Sequence, residues 1–280
     1  MPRTSPTGRR RHLARELLHL REVTGLTADE VAKRLGWTPS TLTRIERNDW
    51  RLPKIHLVEA LLDVYGVTGS QRDELIGYAL QARERGWWER YKHLSAEEGT
   101  YIGLEHEASA IRQFAPMRLP DLLQIPGYCR SRHAGAPDIA ADHCAVTSER
   151  QRLLTAPAPV TLWALLWESV LHHQVAGPDV QAEQLEHLLA VTDLPNVTIQ
   201  VVPFTAGPLP AIGGFTHMAL HDAVDPEAVY VESPAGETWI EDPARVAHFT
   251  AVFERLLSVA CTVRETQDVV ARTARALRKG

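Results

Sequence analysis

The run TPSTLTRIER, residues 38–47, gathers small hydroxyls and long cations at spacings that suit an anionic polymer. Arginine presents a planar fork that matches guanine O6 and N7 together, a contact worth roughly 1–3 kcal/mol of base discrimination. Arg44 is placed for that contact, and Ser40 and Thr43 can bond bases or phosphates. Pro39 and the Thr41 methyl offer apolar contact only. Thr38 and the amides of a helix N-terminus suit a phosphate. Thr27, Lys33, Thr41, Arg47, Arg51 and Lys54, with Arg9, Arg10 and Arg11 upstream, are candidate grips on the nucleic-acid backbone, which set register without reading sequence.

Elements with clear boundaries must position these residues. Leu13, Leu17 and Leu20 lie at i, i+4 and i+7, one face of a helix from Arg9 to Val23 that Gly25 ends. Thr27 and Glu30 have the spacing of a capping box, so a second helix starts at Thr27, with Ala28, Val31, Ala32 and Leu35 inward. Gly36 follows as its left-handed terminator. Thr38 then caps a third helix with Pro39 at its first position, where the missing N–H costs nothing. Leu42 and Ile45 turn inward, which leaves Pro39, Ser40, Thr43, Arg44 and Arg47 outward. A fourth helix after Pro53 carries Leu57, Val58, Leu61 and Leu62, and a fifth is predicted over 70–85. Two short helices joined by a turn inside such a bundle form a helix-turn-helix, whose second helix lies in the DNA major groove. A bland alternative, a solvated charged face, is disfavoured because capping, turn, inward pattern and basic balance coincide.

Charge is distributed accordingly. The net charge of -5 argues against a nucleic-acid binder, yet residues 1–65 hold 12 Lys+Arg against 8 Asp+Glu and the rest hold 18 against 27. A basic head on an acidic body suggests that only the head meets phosphates. The 280 residues, 44% hydrophobic, suffice for two domains. No apolar run approaches a membrane span, and no apolar segment follows the basic N-terminus, so a cytoplasmic location is expected. Cys129, Cys144 and Cys261 have no CxxC spacing and are expected to be reduced, buried thiols.

The organisation expected is a disordered tail over 1–8, a DNA-binding domain over 9–68, a connecting helix over 69–86 and a second domain over 87–280. Trp87 and Trp88 mark the junction, anchoring the connecting helix on the second domain. In that domain 101–114, 140–154 and 180–191 look helical. The runs 160–171, 196–204, 214–220 and 229–233 look like strands, with 238–240 as a hairpin partner. Two further helices are expected over 243–260 and 263–278. The alternation indicates an α/β or α+β domain beside an all-α one.

Other chemistries find little support. His217 and His221 are four apart, but on a strand that spacing separates them by about 13 Å, too far for one metal ion. Ser169 stands beside Glu168 and His172, but adjacent strand residues face opposite ways, and no GxSxG exists. Neither GxGxxG nor GxxxxGK[ST] is present, so no enzyme and no cofactor is expected. Trp163, Trp167, Phe204, Phe215 and Trp239 are candidates to line a small-molecule pocket, with ordinary core as the alternative. The stretch FTAGPLPAIGG (204–214) would be a lid over it or a docking loop.

Residues 13–66, with the signature LREVTGLTADEVAKRLGWTPSTLTRIER (20–47), resemble the Xre/Cro-like helix-turn-helix family. The resemblance implies a buried structural ion pair between Arg21 and Glu46, and base-reading roles for Pro39, Ser40 and Arg44. It departs at Ala28, where the family often has a Gln that bonds a phosphate. LLDVYGVTGSQRDELIGYALQARERGWW, GLEHEASAIRQF, LPNVTIQVVPFTAG and VYVESPAGETWI resemble actinobacterial regulators of the WhiJ type, whose C-terminal domain is described as antitoxin-like or effector-binding. LPDLLQIPGY (119–128) departs from their pattern, and 26 Arg against 4 Lys suits a GC-rich genome. Residues and resemblance together predict a transcriptional regulator that binds double-stranded operator DNA as a homodimer. Its C-terminal domain would bind a small protein encoded nearby or a small-molecule effector. An antitoxin-like interaction module with secondary DNA binding is the alternative.

Overall fold

Ser5 opens the first helix: its hydroxyl accepts from Gly8 N at 3.0 Å, and Pro6 comes next at a position that needs no donor. α1 (Pro6–Val23) then runs unbroken in the computed structural model, which describes residues 3–50, 52–209, 213–220 and 227–279. These residues divide into two units. The first holds residues up to Glu89 together with Gly99–Glu107, and the second holds Arg90–Glu98, Ala108–Leu220 and the residues from Glu227 onward.

The first unit is built from α1, α2 (Ala28–Leu35), α3 (Pro39–Glu46), α4 (Ile55–Tyr65) and α5 (Gly69–Gln81). One core joins Leu13 and Leu17 of α1, Val31 of α2, Leu42 and Ile45 of α3, Val58, Leu61 and Leu62 of α4, and Leu75 and Ala79 of α5. Two expectations are corrected here. Residues 3–8 are not a tail: Thr7 and Gly8 are buried and the Ser5 amide donates to the Glu107 carboxylate, while residues 1 and 2 lie outside the described set. Nor is the fifth helix a connector, because its apolar face closes the same core.

Trp88, in a short 3-10 turn (Trp87–Arg90), is 6% exposed and packs on Gly99 and Gly103 of α6 (Ala96–Glu107), both in the first unit. The tryptophan thus belongs to the first unit instead of anchoring a connector on the second. A Cβ on Gly103 would stand 2.6 Å from Thr7 Cβ and 3.2 Å from the Trp88 ring. Gly103→Ala is therefore expected to lower stability by about 1–3 kcal/mol through overpacking. A lower urea midpoint would show it, and an unchanged midpoint would mean that α6 gives way freely.

The second unit is α+β. A mixed sheet has the order β3-β2-β1-β4-β5-β6, from β1 (Ala110–Ala115), β2 (Thr161–Trp167), β3 (Val197–Val202), β4 (Phe215–Ala219), β5 (Glu227–Ser233) and β6 (Gly236–Ile240). β1, β2 and β3 run parallel, and β1, β4, β5 and β6 form antiparallel neighbours. The parallel strands are linked through α7 (Pro126–Ser131) and α8 (Pro137–Gln151), then α9 (Ser169–His172) and α10 (Pro178–Val191), the crossovers that parallel pairing demands. Residues 101–114, expected as one helix, hold the end of α6 and the central strand β1. Residues 160–171 hold β2 and then α9. The hairpin expected at 238–240 is β5–β6.

α11 (Pro243–Ser258), capped by Asp242, lays Val246, Phe253 and Leu256 over Phe114, Leu165, Val202, Phe215, Val229 and Ile240, which share one sheet face. α12 (Val263–Leu277) packs on α10 and along β3. Just before α12 Cys261 N donates to Val201 O at 2.8 Å, and within α12 Thr266 Oγ1 accepts from Val201 N at 3.0 Å, so both outward backbone groups of Val201 are taken at the outer edge of β3.

LPDLLQIPGY sits against a polar hub. Asp121 accepts from Arg132 Nη1 at 2.8 Å and Arg150 Nη1 at 3.0 Å, and Gln124 Nε2 donates to its Oδ1 at 3.0 Å. Gln151 donates to Gln124 O, and Gln184 accepts from Ile125 N and donates to Leu123 O. Loop carbonyls and amides taken out of water thus find side-chain partners from α8 and α10. All three cysteines carry free thiols, and of them only Cys129 is fully buried.

Candidate nucleic-acid interface

α2 and α3 are set by local chemistry. Thr27 Oγ1 accepts from Glu30 N at 3.3 Å while Glu30 accepts from Thr27 N at 2.8 Å, closing the capping box. Glu30 is held below its ordinary carboxyl range by the hydrogen bonds its carboxylate accepts from the Thr27 amide and hydroxyl. Gly36 takes φ +66°, and α3 begins three residues later at Pro39. Leu42, Ile45 and Glu46 are buried, whereas Pro39, Ser40, Arg44 and Arg47 are exposed and Thr43 is half-buried. Lys33 of α2, Thr38 and Lys54 are exposed as well, and Thr41 is half-buried. Arg51 lies outside the described residues.

Several hydroxyls are already engaged. Thr27 Oγ1 also donates to Glu30 Oε2 at 2.8 Å, so it serves its helix and is a poor phosphate grip. Thr38 makes no side-chain cap to α3; its hydroxyl lies 2.9 Å from both Ser40 Oγ and Thr41 Oγ1. Thr43 Oγ1 donates back to Pro39 O at 3.1 Å. Among the upstream arginines, Arg11 is 4% exposed, Arg10 Nε donates to Asn48 Oδ1 at 3.1 Å, and the Arg9 guanidinium lies 4.8 Å from the centre of the Tyr78 ring. These three hold the fold rather than grip phosphates. Three consecutive helical residues point about 100° apart, so no single face could carry them.

Arg21 and Glu46 do pair. Arg21 Nε donates to Glu46 Oε1 at 2.6 Å and Nη2 to Oε2 at 3.2 Å, while Nη1 donates to Leu26 O at 3.0 Å. The hydrogen bonds that Arg21 donates to Glu46 raise the Arg21 pKa further. Sequence reasoning missed Asp49. It lies just beyond Asn48, whose φ of +57° is the sole positive value among described non-glycine residues. An Asn after the last helical turn is the signal that would have marked this reversal.

In the second unit the five pocket candidates do not meet. Trp163, Trp167 and Phe215 sit on the α11 face; Trp163 Nε1 donates to Gln200 and its ring meets Phe253 edge-on. Register puts Trp239 on the opposite face, against Tyr230. Phe204 is 57% exposed beside His172. A cleft of about 580 Å³ opens elsewhere, lined by His172, Gln174, Pro178, Arg272, Thr273 and Leu277 among others. Of the stretch 204–214, residues 210–212 lie outside the described set.

Ser169 begins α9 rather than continuing a strand, and Glu168 and His172 come within 3.9 Å across one turn. The Ser169 hydroxyl points elsewhere, donating to Pro116 O at 3.0 Å. His217 is buried on β4, 3.4 Å from Glu227, with its pKa lowered by burial; His221 lies outside the described residues. No group of three His, Cys, Asp or Glu side chains among the described residues is arranged to hold a metal.

A helical unit that presents α3 in this way is a helix-turn-helix domain of the DNA-binding, transcription-regulator type, and residues 12–75 match a family model described as "Helix-turn-helix domain". Residues 99–272 match one described as "Domain of unknown function (DUF5753)", and the chain belongs to that family. No curated protein and no solved structure matches the chain. Among the described residues no single helix is long and apolar enough to cross a membrane.

Proposed function

We propose that this protein is a sequence-specific transcriptional regulator of the Xre, WhiJ-like type, acting in the cytoplasm as a homodimer on a two-fold operator. The carrying observation is the division of α3: Leu42, Ile45 and Glu46 are buried, while Pro39 and the polar or cationic Ser40, Arg44 and Arg47 are exposed. Arg44 reads guanine, Ser40 and Thr43 assist, and Lys33, Thr38, Thr41, Arg47 and Lys54 hold phosphates. The C-terminal domain binds a small partner protein or an effector, and whichever ligand prefers one arrangement of paired heads changes operator affinity by its differential binding. It is not an enzyme in this reading. A small-molecule effector is the second reading, for which the open cleft beside α9 and α12 is the candidate seat, and an antitoxin-like role would show as function surviving loss of DNA contacts.

The test is fluorescence anisotropy on the chain's own upstream DNA across a salt series. Arg44→Ala should lose about 1–3 kcal/mol of preference for that DNA over a scrambled duplex. Weak, sequence-blind binding indifferent to Arg44 would end the assignment.

A further inference from the structure

Arg44 does not stand alone on α3. Its Nε donates to Asp49 Oδ2 at 3.3 Å and its Nη2 donates to the Asp49 carbonyl at 3.2 Å. The backbone brings Asp49 back to it. Asp49 N donates to Arg44 O at 2.8 Å and Asn48 N to Ile45 O at 3.0 Å, the paired reversal that ends many helices. Asn48 supplies the left-handed residue, and Arg10 of α1 holds the Asn48 side chain. The pair is not there for stability. Its side chains are 65% and 73% exposed, and ion pairs so exposed contribute little to folding.

Geometry gives the contact another use. A guanidinium has five N–H donors in a planar fork. Asp49 takes Nε–H and one Nη2–H, the side-on edge. The end-on edge, Nη1 and the second Nη2–H, remains for the two acceptors of a guanine.

We propose that Asp49 is a positioning residue for Arg44, engaging the side-on edge of its guanidinium so that the end-on edge is presented to a guanine. This rests on the reading of Arg44 as a base contact. Pre-ordering one long side chain is worth about two- to tenfold in affinity, and only where that side chain makes its contact. Losing a carboxylate near phosphates acts oppositely, strengthening binding to every duplex alike.

The experiment compares the full chain, Asp49→Asn, Arg44→Ala and the double variant. The DNA is a duplex enriched from a randomised library by the wild type, alongside copies with each guanine replaced by adenine and a scrambled control. We expect one guanine whose replacement penalty disappears in Arg44→Ala. Asp49→Asn should shrink that same penalty by about two- to tenfold while scrambled DNA binds as well or better. Adding Asp49→Asn to Arg44→Ala should cost no further discrimination, and the melting temperature should not move. A common factor on all duplexes in Asp49→Asn, with the Arg44→Ala loss intact, overturns the role of Asp49 and leaves the base-reading assignment standing. If the wild type enriches no sequence, or no penalty depends on Arg44, both fall together.

Discussion

Glu46→Ala is expected to cost the helix-turn-helix unit about 3–5 kcal/mol, enough to unfold much of it. The Arg21 and Glu46 side chains are only 16% and 7% exposed. With Glu46 gone, a half-buried guanidinium keeps one carbonyl, Leu26 O, as hydrogen-bond partner, and losing one partner costs more than the net worth of the pair. The loss also reaches DNA binding. Glu46 lies on the inner face of α3, next to Ile45, so the pair ties the recognition helix to α1. Amide hydrogen exchange resolved along α1 to α5 checks the prediction. A loss under about 1 kcal/mol would mean that water screens the pair as it does at a surface. Replacing both residues by leucine should recover part of the loss, since no charge is then stranded.

Asp121→Ala should have a comparable effect on the second unit, again about 3–5 kcal/mol, because it removes the one carboxylate that two guanidinium groups share. Arg150 and Arg132 are 8% and 21% exposed and meet on the two oxygens of one carboxylate. Desolvation pushes the Asp121 pKa up, but Arg150, Arg132 and Arg118 outweigh it and hold the group well below the ordinary range. That direction sets the sign of the pH dependence. The folded pKa lies below the unfolded value of roughly 3.9, so the contribution is complete above that pH and is lost as the pH falls through the folded value. Urea midpoints of this unit should hold from neutral pH down to about pH 4 and fall below it, and Asp121→Asn should flatten that fall. An acid limb of unchanged steepness in Asp121→Asn would assign it to other carboxylates.

The recognition unit is legible in the sequence because its signals are local. Thr27 and Glu30 are three residues apart, Gly36 and Pro39 punctuate one turn, and each acts through its own backbone. β1 is not legible. AIRQFA carries Arg112 and Gln113 at its centre, and it is a strand because β2 and β4 pair with it from both sides. Propensity is weak against such pairing. Asp121 is invisible for the same reason, as its arginines lie 11 and 29 residues along the chain. The five aromatics separate because register turns Trp239 away from Trp163, Trp167 and Phe215, and Phe204 lies outside the strands. Arg9 to Arg11 mislead because charge counted along the chain takes no account of the turn of the helix.

The closed edge of β3 has a consequence for self-association. A strand edge with free amides and carbonyls can recruit another chain, and a sheet with two such edges can propagate without limit. Here the Cys261 amide and the Thr266 hydroxyl take Val201 O and Val201 N on one side. The sheet ends on the other side with β6, five residues long and bearing Glu237. Strand addition at β6 would join two chains edge to edge, and the cover that α12 gives β3 would oppose a third. Thr266→Val would leave Val201 N without its acceptor while Cys261 N and the packing of α12 still cover β3, so it weakens that protection without removing it.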